Sequence, residues 1–326
     1  MKSIRTAGQP WAKFFIWSAI FVYVAGCQKS DSDADGVDPA SQCRLKTVTE
    51  FGKALRDPEE AVEDLYEYRY GIGNRLESIV NTWQSGRVYT TTLEYDANGF
   101  VMSSKDTKTD NRVITTLYTS SVSYVNGSIA KQLYDDGDVY IFTYDTQGKL
   151  SSYSSEYRTY KQEYGFVGGI LTKIEITDNG QKSIATVVDG RATQLGLTRY
   201  SYDSKGRLVK EESLNIQGVA TGYTTYEYDD FVARNPWFLP VQQLKGWSSF
   251  RNFSLTGNQD YPVRLKRHYN ANGTPKTGSG SAYVYLNKAN AKGYLTERTT
   301  FEGTSPVVDL KTVSHSRMKY DFIGCN

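Results

Sequence analysis

The chain is short of what most enzymes and metal proteins are built from. Its 326 residues include only two His, three Cys and three Met. His268 and His315 stand far apart, each in a polar strand-like run, so there is no His-x-x-x-His pair. Nor is there a Cys-x-x-Cys. A glycine-rich phosphate loop is missing, and Gly278-Ser279-Gly280-Ser281 has neither the spacing nor the strand-to-helix context of a nucleophile elbow. The acidic neighbours Glu211-Glu212 and Asp229-Asp230 fall on opposite faces of an extended strand, so neither pair can share a substrate bond. Net charge is +2, which gives no electrostatic reason to expect a nucleic-acid partner. Helical periodicity is absent, apart from a turn expected at Asp57-Pro58-Glu59-Glu60. These gaps argue against an enzyme, a cofactor and a metal.

Tyrosine, by contrast, is plentiful, with 26 Tyr against 13 Phe. Its ring suits a half-buried sheet while its hydroxyl stays wet. Many of these residues sit in degraded copies of one unit, Tyr200-Ser201-Tyr202-Asp203-Ser204-Lys205-Gly206-Arg207-Leu208. Tyr200 and Tyr202 share one face of a strand, Asp203 can accept from the turn amides, and Gly206 can close a bulged hairpin. Close copies run from Leu93 to Gly99 and from Phe142 to Leu150. Shorter Asn-Gly and Asp-Gly turns sit at Asn126-Gly127, Asp136-Gly137, Asp178-Asn179-Gly180, Asp189-Gly190 and Ala271-Asn272-Gly273. Breaks at this rhythm, roughly every 8 to 14 residues, predict an antiparallel meander rather than βαβ units. The fold class expected is therefore all-β: one large, strongly curved, barrel-like sheet of about 16 strands. Lys173-Ile174-Glu175-Ile176 has one apolar and one charged face, as a sheet standing in water requires, so the expected barrel is soluble and not lipid-spanning.

One stretch interrupts the rhythm, at about residues 229–262. Asn235-Pro236-Trp237-Phe238-Leu239-Pro240 has no alternation, and its prolines exclude a central strand. Trp237, Phe238, Trp247, Phe250 and Phe253 make it too apolar to lie bare. It is expected to cap one edge or mouth of the sheet, with an aromatic ligand platform as the alternative.

At the N-terminus, a basic start and an apolar run from Phe14 to Val24 end in Val24-Ala25-Gly26-Cys27. The run is shorter than the ~20 residues that span a bilayer. Val24 to Cys27 resembles the lipobox of bacterial lipoproteins, which implies cleavage of residues 1–26 and lipid on Cys27. Without Lys2, Arg5 and Lys13 the mature chain has 35 basic and 36 acidic residues, a net −1. Residues 27–42 read as an acidic flexible tether. Asp31-x-Asp33-x-Asp35-Gly36 matches half of a calcium loop, but Gln42 stands where its closing Glu belongs. An acidic run beside the lipidated Cys also resembles a Bacteroidetes surface-export signal. Cys43 and Cys325 then bracket the domain, 43–326. Outside the cytoplasm two such thiols are expected to join, setting first and last strands side by side, the alternative being two unpaired thiols.

The Tyr-x-Tyr-Asp-x-x-Gly-Arg-Leu units resemble the YD repeats of Rhs-type proteins. With the lipobox, Cys43-Arg44-Leu45, Asn235 to Phe238 and Asp260-Tyr261-Pro262, the pattern is similar to a family of Bacteroidetes lipoproteins of unknown function with a porin-like fold. The resemblance implies a barrel-like sheet and supplies no site residues. Two units depart from the pattern: Gly71 follows Tyr70, and Tyr228-Asp229-Asp230 lacks its Gly. The function expected is a monomeric lipoprotein held to the outer membrane by its lipid, exposed at the surface or facing the periplasm. Its domain is expected to bind a glycan, peptide or partner protein without catalysis; the alternatives are a structural shell or spacer and, less readily, an envelope hydrolase.

Overall fold

The computed structural model describes residues 43–54, 59–157, 159–247, 261–303 and 314–325, with the short pairs 23–24 and 253–254. Cys27, the tether, the Asp31-Asp33-Asp35 run and Asp57-Pro58 lie outside the described residues. Tyr23–Val24 and Phe253–Ser254 pair antiparallel, apart from the main sheet.

The main sheet is a closed antiparallel meander of 20 strands. In chain order they are β1 (Arg44–Lys53), β2 (Ala61–Tyr70), β3 (Leu76–Trp83), β4 (Val88–Tyr95), β5 (Val101–Asp110), β6 (Val113–Val125) and β7 (Ser128–Tyr134). They continue as β8 (Val139–Tyr144), β9 (Leu150–Tyr157), β10 (Tyr160–Val167), β11 (Ile170–Asp178), β12 (Gln181–Val188), β13 (Arg191–Leu195) and β14 (Thr198–Tyr202). The last six are β15 (Leu208–Leu214), β16 (Ala220–Tyr228), β17 (Val263–Asn270), β18 (Ala282–Ala289), β19 (Leu295–Glu302) and β20 (His315–Ile323). Each pairs with its chain neighbours, and β1 pairs with β20 from Arg44↔Ile323 to Lys53↔His315. Cys43 and Cys325 are disulfide-bonded at this seam, with Cα atoms 4.6 Å apart.

The count exceeds the expected 16 because some turns carry weaker signals. Asn215 and Asn290 stand where the unit has Asp, yet each side-chain oxygen accepts from two turn amides as Asp203 does. The β5–β6 turn uses Asn111 and Arg112 at positive φ with no glycine.

The Tyr-Asp unit explains how hairpins are joined. Asp203 accepts from the amides of Lys205 (3.0 Å) and Arg207 (2.8 Å), and Gly206, at φ 75°, closes the bulge. The second Tyr then reaches back across its own hairpin. Its hydroxyl donates to a buried main-chain carbonyl at the start of the preceding strand. Tyr70 does so to Leu45 (2.9 Å), Tyr95 to Leu76, Tyr124 to Val101 (2.9 Å) and Tyr144 to Ile129 (2.7 Å). Tyr202 reaches Ala192 (2.7 Å) and Tyr228 reaches Leu208 (2.7 Å). The Arg before the accepting residue lies over the same Tyr ring in four cases: Arg44 on Tyr70, Arg75 on Tyr95, Arg191 on Tyr202 and Arg207 on Tyr228. The Arg-Leu that ends one unit is thus the socket for the tyrosine of the next. Both departures from the pattern keep this contact, because it needs the tyrosine and not the aspartate.

Phenylalanine at one such position leaves the ring packed but removes the donor. Tyr144→Phe should lower stability by about 1 kcal/mol, read as a shifted denaturant midpoint at unchanged m.

Candidate functional site

Strand alternation sends one row of side chains into the barrel, and its two ends differ. At the end that carries Cys43, residues 229–247 leave β16 and fold across the opening. Asn235 accepts from the amide of Trp237 (3.1 Å) and starts a single tight turn, Pro236–Phe238, continued by Leu239–Gln242. Pro236, Leu239, Pro240, Leu244 and Trp247 are buried. The Trp247 indole donates to the Tyr124 hydroxyl at 2.9 Å, and Trp237 meets Tyr66 edge-on at 4.9 Å and Tyr320 at 6.4 Å. Backbone bonds clamp the segment: Ile129 to Gly246 (3.0 Å) and Arg234 to Gly293 (2.7 Å). Gln243 donates to the Cys43 carbonyl at 2.7 Å. Both tryptophans therefore pack against the core, Trp247 buried and Trp237 half-buried. Phe250 lies outside the described residues, and of Phe238 and Phe253 only the backbone is described.

The inner wall is dry on one side. From β2 to β10 its residues are buried, among them Tyr66, Tyr68, Leu93, Ile129, Phe142, Tyr153 and Tyr164. Some polar groups here bond one another: Ser104 with Ser120 (2.7 Å), Gln132 with Ser120 (2.9 Å) and Tyr134 (3.1 Å), and Thr91 with Asp106. From β14 to β19 the inward Tyr200, Glu211, Tyr226, Lys266, His268, Tyr283 and Arg298 are half-buried instead, beside the buried Leu208 and Leu295.

Two cross-strand rows organise this wetter side. One runs Tyr200, Glu211, Thr224, His268; the next runs Tyr226, Lys266, Tyr283. Tyr226 donates to Glu211 at 3.0 Å, while Thr224 bonds His268 Nδ1 at 2.8 Å. Burial and the neighbouring Glu211 carboxylate push the Tyr226 hydroxyl well above its ordinary range. His268 is held below its own by burial, then by Lys266 and Lys276. Further round, Arg298 donates to Asn287 (2.9 Å), which donates to Asp229 (2.8 Å), tying this wall to the first residue of the capping segment. Glu50 and Asp64 are direct cross-strand partners on the same inner face. Burial first, then Asp64 and Glu63, push the Glu50 carboxyl up to about 7.

Glu211 and Glu212 do point to opposite sides: Glu212 faces outward, paired with Lys210 at 2.7 Å. His315 also faces outward, buried against Glu60 at 2.6 Å, with Arg317 on the same carboxylate. Burial and Arg317 thus make this pair part of the outer wall. Among the described residues no three His, Cys, Asp or Glu are grouped to hold a metal. Glu211 and His268 were weighed separately in the sequence, but their meeting with Tyr226 and Lys266 on the inner wall was not foreseen. Its only signal was alternation, which does not say which face becomes the inside.

No family model and no curated protein matches the sequence. Among solved structures, a porin-like protein from Bacteroides uniformis is similar over 85% of this chain and 97% of its own, at 12% identity and TM-score 0.39. A second, from Bacteroides vulgatus, covers 86% and 98% at 11% identity and TM-score 0.28. A Photorhabdus luminescens Tc holotoxin pore matches over 75% of this chain and 14% of its own, at 12% identity and TM-score 0.34. Identity and superposition are low in all three; the barrel rests on this chain's own strand pairing.

Two substitutions probe this geometry. Gly246 has φ 81°, and a Cβ there would meet the Gly127 carbonyl at 2.6 Å. Gly246→Ala should therefore lower stability by about 2 kcal/mol and red-shift tryptophan fluorescence as Trp247 leaves its site. For Glu50 the raised pKa means that the fold holds a proton which the unfolded chain releases, so stability falls as pH rises from about 4.5 to about 7. Glu50→Gln should remove that slope and raise stability at pH 8 by on the order of 3 kcal/mol at most; denaturant titrations at pH 5 and 8 would show it.

Proposed function

We propose that the chain is a non-catalytic lipoprotein of the outer membrane, anchored through Cys27, whose barrel stands in water and binds a glycan, peptide or partner protein. The observation that carries the binding role is the half-exposed, polar and aromatic inner wall between β14 and β19, in a barrel otherwise packed dry. A pure shell has no need of such a face. The packed half and the capped end favour the second reading, a structural shell or spacer.

The outer wall supports an aqueous setting. It is laced with ion pairs such as Lys173 and Lys182 on Glu175 (3.1 and 2.6 Å), Lys288 on Glu297 (2.7 Å) and Lys319 on Asp321 (3.2 Å). Burying Lys or Arg at a lipid midplane costs about 2–4 kcal/mol each. Attachment then falls to the lipid, and two or three acyl chains hold where one does not. The lipobox, the acidic tether and the resemblance to Bacteroidetes lipoproteins support the same address, at the cell surface.

One substitution separates anchor from barrel. In cells fed a labelled fatty acid, Cys27→Ala should abolish labelling and move the protein into the aqueous phase on detergent phase separation. Retained label would refute the lipid anchor, and a Cys27→Ala chain that stays in the detergent phase would point to a lipid-spanning barrel. Glycan arrays and pulldowns that both come back empty would favour the shell.

A further inference from the structure

We infer that the inner wall of β14 to β18 holds a site for an acidic saccharide, its carboxylate received by Lys266, His268 and Lys276 and its sugar rings by Tyr226 and Tyr283. The inference rests on the binding role proposed above and names its ligand class and place.

Three cationic or protonatable groups converge there. Lys266 and His268 point inward two residues apart on β17. Lys276 comes from the β17–β18 connection, which folds back so that its amide donates to the His268 carbonyl at 2.9 Å. Its side chain then crosses to the inner face of β16, where the ammonium lies 3.9 Å from the place a Gly222 Cβ would occupy. Both lysines lie close enough to His268 to disfavour its charged form. Among the described residues neither ammonium has a carboxylate partner; the outer wall, by contrast, pairs many of its lysines. Two like charges beside an imidazole, on a half-exposed concave wall, are eased by an anion.

The surroundings choose the rest of the ligand. Tyr226 and Tyr283 flank Lys266 in its own row and Tyr200 stands in the row of His268, and a pyranose presents an apolar face to such rings. Thr224 and the tyrosine hydroxyls can share hydrogen bonds with sugar hydroxyls. Glu211, the one carboxylate in the row, is already occupied by Tyr226 at 3.0 Å. It also lies within electrostatic reach of His268, so it works against an anionic guest.

Calorimetry on the full-length chain in non-ionic detergent would test this, with a galacturonic acid trimer set against the uncharged galactose trimer. The acid should bind at least tenfold more tightly, and added salt should weaken it. Lys266→Gln with Lys276→Gln should cost at least tenfold for the acid and leave the neutral trimer unchanged. Lys266→Arg should retain binding, which separates lost charge from lost fold, and Glu211→Gln should tighten it. Equal binding of both trimers would overturn this assignment while leaving a glycan-binding barrel standing. Unchanged binding in a folded double variant would overturn it too, and binding of neither trimer would count against this ligand class altogether.

Discussion

A tyrosine hydroxyl that reaches back to the first carbonyl of the preceding strand is the contact on which this barrel depends. An antiparallel hairpin fixes its own register through its turn, but nothing in the turn says how one hairpin meets the next. Here the answer is carried by a side chain. The tyrosine that ends one strand spans its hairpin, bonds a carbonyl of a buried residue such as Leu45 or Ile129, and in four cases is covered by the Arg one residue earlier. A slip of one residue would turn that ring to the outer wall and leave the carbonyl unmatched. Both losses oppose the slip, so local turn chemistry becomes long-range order around the sheet.

Closure follows from the same regularity. An open sheet of this length would leave two bare edges, each a template for aggregation. The last strand instead pairs with the first, and the disulfide between Cys43 and Cys325 sits on that seam. Closing twenty strands encloses more space than their inward side chains can fill. The chain deals with this in two ways. It folds residues 229–247 into one mouth, with Trp237 and Trp247 as wedges, and it packs Tyr, Phe, Leu and Ile across the wall from β2 to β10. What remains is the side from β14 to β19, where inward Glu, His, Lys and Arg stay partly wet.

The fold was largely legible in the residues. Asp203, Asp145 and Asp96 each announce their turn, because a carboxylate two residues before an amide accepts from it whatever the rest of the chain does. Turns at Asn215, Asn290 and Asn111-Arg112 were less so, since asparagine serves as well in loops that do not return. The capping role of Asn235 to Trp247 was weighed against a ligand platform, and both stayed open. The sequence shows that tryptophans there must be covered, but not by what.

Local chemistry thus determined the elements: alternation, turn residues and the interruption at Pro236 and Pro240. These depend on interactions within about ten residues, which a sequence displays directly. Only the closed sheet decided which face is the inside. Glu211 and Glu212, or Lys266 and Arg267, are equivalent as text; one of each pair lies in the lumen and the other in the outer wall. That choice was made by strands far apart in the chain, when β20 returned to β1 and one side of every strand became the lumen.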